Sequence, residues 1–331
     1  MRVIALNARA AARPELGGVE RWARELAARL PALGGYEVIR PPATLSHRVG
    51  HAWEQLVLPA RARKATLLLN PANLAPLVFP RNAVVIHDAA ALRHPGWYSP
   101  LYGRWQRGVL PVIAKRARIV ITVSEFSRRE IAELLHVDAH VVPGGVDERF
   151  RPSADPEPAR AALGLKRPYV LTVASRTARK NLASLDATAR RLAHEGIDLV
   201  AAGGERPQFA DDGAATSGGP RALGHVPDAH LPGLYAGAAA FVLPSWHEGF
   251  GLTCIEAMAC GVPVVAARAG ALPETCGDAA RYADPFDPDD IATQVEEAIG
   301  DDRLREAGPQ RAALFTWERT ARELDALLER A

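Results

Sequence analysis

The chain has 331 residues, 48% hydrophobic and 24% charged, with a formal net charge of +2. That length exceeds one ordinary core and suits two domains, and the composition excludes a disordered chain. Cys254, Cys260 and Cys276 are too few and too unevenly spaced for a disulfide framework or a zinc site, so buried free thiols are expected.

The opening "MRVIALNARAAARPE" reads as a first strand and not as a signal peptide. No apolar stretch reaches the roughly 18 residues that a membrane-crossing helix needs. A cytoplasmic protein, peripheral at the inner membrane face, is therefore expected. Residues 1–150 hold 21 Lys+Arg against 12 Asp+Glu, a balance of +9; the remainder holds 19 against 26, or −7. A basic front half fits an anionic partner or surface, and solvated helix faces would read the same way. No nucleic-acid partner is expected.

Short apolar runs predict buried parallel strands at "RVIAL" (2–6), "ATLLLN" (65–70), "AVVIH" (83–87) and "RIVITV" (118–123). Helical patterns lie between and after them, including "GVERWARELAARL" (18–30) and "SEFSRREIAELL" (124–135), the latter with a Ser/Glu start suited to an N-cap. "PGGVDERFRPSADPEP" (143–158) has no apolar period and reads as a linker. Strands are predicted again at "YVLTVA" (169–174), "IDLVAAG" (197–203), "AAFVLP" (239–244) and "VPVVAA" (262–267), and "WERTARELDALLERA" (317–331) is a closing helix. This alternation predicts an α/β protein of two Rossmann-like, doubly wound domains. The domains are placed at 1–150 and 151–315, followed by a helix at 316–331.

"AAFVLPSWHEGFGLTCIEAMA" (239–259) has the form strand, loop, helix. Ligands of open parallel sheets bind at the carboxyl ends of strands, where such loops meet helix N-termini. Gly249 and Gly251 permit close backbone approach or positive φ. A helix starting near Leu252 would aim free N–H groups and partial positive charge at whatever the loop holds, which suits a phosphate. Glu248 lies in the loop. Glu256, on the helix with seven residues between it and Glu248, can accept hydrogen bonds from a diol such as a ribose. One ligand touching all three would be a nucleotide diphosphate carrying a sugar.

With "EAMACGVPVVAARAGALPE" (256–274), this Glu-x7-Glu loop resembles the retaining glycosyltransferases of family four, mannosyltransferase-like members of the GT-B architecture. "GGVERWAREL" (17–26), "VVIHDAAALRHPGWYS" (84–99), "ITVSEFSRREIAELLHV" with "VVPGGVD", and "LTVASRTARKNL" (171–182) resemble further family segments in the family's order. The resemblance implies two Rossmann-like domains facing a central cleft, with an acceptor-side domain first and a nucleotide-sugar domain second. The last helix would pack back on the first domain.

It also implies roles. Arg176 and Lys180 would bind the donor diphosphate, and Gly17 and Gly18 would approach phosphate or sugar through backbone N–H. His87 would sit near the transferred sugar. Glu248 would bind a sugar hydroxyl, with Phe250, Gly251 and Leu252 giving backbone contacts, and Glu256 would hold the ribose. The catalytic set is then Glu248, His87, Lys180 and Arg176, with no metal and no cofactor. Fixed cations and a helix N-terminus stabilise the charge that builds on the leaving diphosphate.

Asp88 reads as a turn or helix-cap residue, and Trp246 and His247 as either packing or donor contacts. "DPDD" (287–290) contains Asp-x-Asp but reads as an acidic helix start. "GFGLTC" is a broken dinucleotide fingerprint, with Cys254 in the third glycine's place. Gly144 departs from the Asn usual in the family, and the chain length points to trimmed acceptor-domain loops.

The expected activity is transfer of a hexose from a nucleotide diphosphate sugar with retention. GDP-mannose is the first choice of donor, ahead of UDP- and dTDP-sugars. The acceptor is a glycan or lipid-diphosphate-linked acceptor of polysaccharide biosynthesis. "RARK" (61–64) and "RWQRGVLPVIAKRAR" (104–118) mix cations with apolar residues, as a surface meeting an anionic membrane would. A nucleotide-sugar epimerase and a catalytically silent nucleotide-sugar-binding subunit share the architecture. The Glu-x7-Glu set speaks against the first, and the presence of every expected cation and glutamate against the second.

Overall fold

The computed structural model describes residues 3–13, 17–42, 50–204 and 218–330. Arg2 of the first expected strand and Ala331 of the last expected helix lie outside these. Two compact units are present. Unit 1 comprises Met1–Arg93, Gly103–Gly145 and Trp317–Ala331; unit 2 comprises His94–Tyr102 and Val146–Thr316.

Unit 1 is built on six strands: β1 (Ile4–Asn7), β2 (Tyr36–Ile39), β3 (Leu67–Asn70), β4 (Asn82–Val85), β5 (Ile119–Thr122) and β6 (His140–Val141), in the order β2-β1-β3-β4-β5-β6. All pairings are parallel. The helices of this half are α1 (Gly18–Leu33), α2 (Gly50–Leu56), α3 (Leu58–Arg61), α4 (Ala90–Arg93), α5 (Pro100–Arg116) and α6 (Glu125–Leu135). Helix α6 starts at the expected cap: the Ser124 hydroxyl accepts the Ser127 N–H at 3.0 Å. It stops where His136 turns left-handed at φ 57°.

Unit 2 holds α7 (Glu157–Leu163), β7 (Tyr169–Val173), α8 (Asp186–His194), β8 (Asp198–Ala202), β9 (Arg221–Gly224), α9 (Leu231–Ala236), β10 (Ala240–Leu243), α10 (Leu252–Ala259), β11 (Val264–Ala267), α11 (Leu272–Cys276), β12 (Ala280–Ala283), α12 (Pro288–Ala298) and α13 (Asp302–Ala312). Its sheet is also parallel, in the order β12-β11-β10-β7-β8-β9. The "DPDD" segment is a helix start: Asp287 accepts the Asp289 and Asp290 N–H groups at 3.0 and 3.1 Å, and Asp289 pairs with Arg191 at 2.6 Å. Cys254, Cys260 and Cys276 are free and buried, and burial pushes the Cys260 thiol up to about 12.

The closing helix α14 (Trp317–Glu329) belongs to unit 1, where it packs on α1. Trp317, Leu324 and Leu328 are fully buried. Three polar contacts fix its register: Arg29 Nε to Glu318 at 2.7 Å, Tyr36 OH to Asp325 at 2.7 Å, and Thr320 Oγ1 to the Pro143 carbonyl at 2.8 Å. His94–Tyr102, expected by chain order in the first domain, groups with unit 2. The reason is aromatic: Trp97 stacks near Trp246 with centroids 6.1 Å apart, and His94 meets His247 edge-on at 6.1 Å.

Both sheets reverse winding direction once. In unit 2 the chain runs from β7 out through β8 and β9, then returns to β10 on the other side of β7. The winding direction therefore reverses between β7 and β10, and the carboxyl ends of the two strands at such a reversal are the usual ligand position of this topology.

Candidate functional site

At those strand ends in unit 2, the loop after β7 carries Arg176, Arg179 and Lys180. Its N–H groups first extend the sheet edge, Ala174 to the Ala202 carbonyl at 2.9 Å and Arg176 to that of Gly204 at 3.2 Å. A single 3-10 turn (Ala178–Lys180) follows. Asn181 ends it in the left-handed region at φ 55°, which Asn tolerates better than most side chains. Its Nδ2 donates to the carbonyls of Pro244 (3.1 Å) and Pro285 (2.8 Å), at the ends of β10 and β12. The Trp246 N–H donates to the Arg179 carbonyl at 3.0 Å. Two loops some 70 residues apart in sequence are thus locked together.

Across this seam Lys180 Nζ donates to Glu248 Oε1 at 2.5 Å. Both side chains are nearly buried. Burial alone would raise the Glu248 carboxyl, but the Lys180 and Arg179 charges, with hydrogen bonds from Lys180 and Ser245, hold it below the usual carboxylate range. Burial lowers Lys180; Glu248 opposes that, and the Arg179 charge adds to it. Two cations around one carboxylate leave a net positive site, and an arriving phosphate would further favour the charged form of Lys180. Among the described residues the half-buried Arg176 guanidinium has no ion-pair partner.

After Glu248 the chain enters α10 through Gly251 at φ 96°, where a Cβ would stand 2.6 Å from Leu272. Thr275 Oγ1 donates to the Phe250 carbonyl at 2.5 Å, tying this turn to α11. Leu252 is the first residue of α10. Glu256 lies on the second turn, 2% exposed, with one carboxylate oxygen accepting from Tyr235 OH at 3.0 Å. Trp246 and His247 sit in an aromatic cluster: Trp246 stacks with Phe286 at 6.2 Å, and His247 meets Trp97 edge-on at 6.2 Å.

Unit 1 holds the remaining expected residues. His87 follows β4. Its N–H donates to Asn73 Oδ1 at 2.8 Å, its carbonyl accepts from Ser127 Oγ at 2.9 Å, and the Trp22 ring meets it edge-on at 5.5 Å. Its Nε2 lies 2.9 Å from the Pro71 carbonyl, which can only accept. The hydrogen bond therefore assigns the proton to Nε2 and leaves Nδ1 an acceptor. Burial lowers its pKa, so the ring is neutral. Asp88 caps a turn, its Oδ1 accepting the Ala90 N–H at 3.1 Å. Gly17 precedes α1 and gives its N–H to Glu20 Oε2 at 3.1 Å. A Cβ on Gly18 would meet no atom within 4 Å.

Residues 155–314 match the family described as "Glycosyl transferases group 1", and residues 80–150 that described as "Glycosyltransferase Family 4". O-antigen chain mannosyltransferase B of Escherichia coli is 33% identical over 261 residues, covering 72% of this chain and 67% of that protein. The chain belongs to the family-four, group 1 glycosyltransferases.

This glycosyltransferase is also similar to the MMP alpha-(1->4)-mannosyltransferase of Mycolicibacterium hassiacum, 30% identical over 288 residues, covering 78% of this chain and 67% of the relative. Sucrose-phosphate synthase from Thermosynechococcus elongatus superposes with a TM-score of 0.79 at 20% identity, covering 100% of this chain and 99% of that one. That likeness is one of fold, and the fold is GT-B. Sequence reasoning about the glycosyltransferase missed Asn181, Tyr235 and Gly270, a left-handed residue (φ 59°) lying against the Glu248 backbone. Asn181 closes the quoted "RTARKN" run, where an Asn after a polar turn signals a left-handed residue. Gly270 and Tyr235 act through partners distant in sequence and left no local signal.

Proposed function

We propose that this glycosyltransferase moves a hexose, with retention at the anomeric carbon, from a nucleotide diphosphate sugar to a glycan or lipid-diphosphate-linked acceptor of polysaccharide biosynthesis. GDP-mannose is the first choice of donor. The observation that carries the reading is the Lys180–Glu248 pair, held with Arg179 at the sheet's winding reversal. The sugar has support of its own: both relatives above are mannosyltransferases by name.

In this reading Arg176 and Lys180 hold the diphosphate. As the bond from the anomeric carbon to the phosphate oxygen breaks, its electron pair stays with the diphosphate, and the growing negative charge meets fixed cations and the first N–H groups of α10. Glu248 accepts from a sugar hydroxyl while remaining ionised. Phe250, Gly251 and Leu252 supply backbone contacts, and Glu256 the ribose contact. From unit 1, His87 offers the neutral Nδ1 as acceptor for a sugar hydroxyl, and Gly17 and Gly18 offer close backbone approach. No side chain here is an obvious nucleophile, so the acceptor hydroxyl attacks the same face that the diphosphate leaves, which assists its deprotonation. The protein works at an anionic membrane face, where a lipid-linked acceptor would lie.

Thermal-shift screening with GDP-, UDP- and dTDP-sugars tests the donor, because a ligand bound only to the folded state raises the melting temperature. Turnover of the best donor with product analysis should give an α-glycoside from an α-linked donor. An inverted glycoside, or an epimerised donor without transfer, would sink the proposal.

A further inference from the structure

Three aromatic rings of unit 2 form a row that ends in solvent. Trp97 and Trp246 lie with centroids 6.1 Å apart and planes 23° from parallel, and Trp246 and Phe286 follow at 6.2 Å and 14°. At these separations the rings are offset, and each leaves part of its face uncovered. Trp97 and Trp246 are half-buried, and Phe286 is 79% exposed. One exposed Phe is ordinary on a protein surface. Here the backbone that carries the rings is fixed. Asn181 Nδ2 donates to the carbonyls of Pro244, two residues before Trp246, and of Pro285, next to Phe286. The Phe286 N–H donates to Asp284 Oδ1 at 2.9 Å, and the Asp284 N–H to Asp290 Oδ2 at 2.8 Å. An apolar ring is thus held out in water on a pinned turn.

The same bonds set the row beside the site. Asn181 follows Lys180, and Trp246, whose N–H donates to the Arg179 carbonyl, stands two residues before Glu248. What covers the row is therefore continuous with what the Lys180–Glu248 pair takes. The surroundings of Phe286 decide its character. Asp284, Asp287, Asp289 and Asp290 flank it in sequence, and of these Asp289 meets Arg191 at 2.6 Å. Carboxylates repel a phosphate or another polyanion and accept hydrogen bonds from hydroxyls. The negative face of an aromatic ring attracts polarised C–H bonds. A neutral sugar satisfies both, with C–H bonds on its ring faces and hydroxyls at its edge.

We infer that the Trp97–Trp246–Phe286 row is a subsite for neutral hexose units of the acceptor glycan, behind the unit that receives the transferred sugar. The inference rests on the glycan acceptor of the proposed function and adds where its chain is held. The row selects for chain length and against negative charge.

Tryptophan fluorescence tests this, because two of the three rings report on their own surroundings. The full chain is titrated with α-linked mannotetraose, with maltotetraose and with a sulfated tetrasaccharide. A neutral chain should bind and the sulfated one should not. Phe286→Ala should weaken the neutral chain about fivefold, and Phe286→Tyr should restore it, with the melting temperature unchanged in both. In turnover, the advantage of tetrasaccharide over methyl mannoside in kcat/KM should shrink by a similar factor in Phe286→Ala. Failure of both neutral chains to bind, equal binding of the sulfated chain, or wild-type affinity in Phe286→Ala overturns the inference. So does loss of a dimer in that variant by light scattering, which would make the row an interface between copies. If neutral chains bind through Phe286 while product analysis finds no glycoside, the transfer reading fails and the glycan-binding row stands.

Discussion

Gly270, in the loop after β11, lies against the backbone of Glu248 so closely that a Cβ there would stand 2.6 Å from both the Glu248 nitrogen and its carbonyl oxygen. Gly270 is also left-handed at φ 59°, and the next N–H, of Ala271, donates to the Glu248 carbonyl at 2.9 Å. A glycine and a hydrogen bond thus clamp the residue that faces Lys180.

Gly270→Ala should therefore damage the site through the backbone. Left-handed strain alone costs about 1–3 kcal/mol, and the clash must push Glu248 away from Lys180. The expected outcome is a lower melting temperature and a fall in kcat/KM of at least about tenfold, a loss of roughly 1.4 kcal/mol in transition-state stabilisation. Gly300→Ala is the control, because Gly300 is left-handed at φ 80° with nothing within 4 Å of its Cβ position. If both variants lose stability equally and turnover is untouched, the clamp has no bearing on function.

The two glutamates of the Glu-x7-Glu loop should fail differently. Contacts to a ribose are the same before and during bond breaking, so Glu256→Gln should raise donor KM and weaken free nucleotide diphosphate with little change in kcat. Glu248→Gln should lower kcat by about 100-fold if the carboxylate stabilises developing charge, and leave free nucleotide binding nearly normal. Measuring kcat, donor KM and nucleotide Kd for both decides it. The reverse pattern would mean that the ligand lies the other way round.

His87 makes a pH prediction. Its folded-state pKa is lowered by burial, with the Pro71 carbonyl and the Asp88 and Glu20 charges opposing. The unfolded imidazole takes up its proton first as pH falls below about 6.5, so stability is lost from there down to the lowered folded value and is whole above it. Urea midpoints at pH 7.5 and 5.5 should differ less in His87→Gln than in wild type. An equal or larger difference in the variant would rule out the neutral, buried ring.

Lys180 predicts a basic limb for ligand binding. Burial and Arg179 lower its pKa, so the free protein loses the ammonium below the ordinary lysine range. Nucleotide diphosphate affinity should fall as pH rises through that lowered value, and Lys180→Arg, always charged, should flatten the fall. Titration by calorimetry across the alkaline range reads it directly. An unchanged limb in the arginine variant would assign the dependence elsewhere.

Turnover is expected to survive excess chelator within a factor of about two, well under 1 kcal/mol of barrier. Loss of activity restored by Mg²⁺ or Mn²⁺ would show that the diphosphate charge is met by an ion in addition to the protein's cations.

The sequence by itself determined the interior of both sheets. The eight strands legible as apolar runs are β1, β3, β4 and β5 in one sheet and β7, β8, β10 and β11 in the other, all flanked on both sides. An interior parallel strand is buried on both faces and reads as a near-continuous apolar run. The four that left no such run, β2, β6, β9 and β12, are the four edges, where one side meets solvent; Arg221–Gly224 is almost wholly exposed. Edge strands are made by the neighbour they pair with, so their own residues need not announce them. The site divides in the same way. Each loop was readable alone, because glycines, cations and carboxylates at a strand's carboxyl end are local chemistry. Only the tertiary structure decided that Lys180 meets Glu248, that Gly270 clamps that carboxylate's backbone and that Tyr235 holds Glu256. These contacts follow from the order in which the strands pair, and that order is a property of the whole sheet's packing and of no single segment.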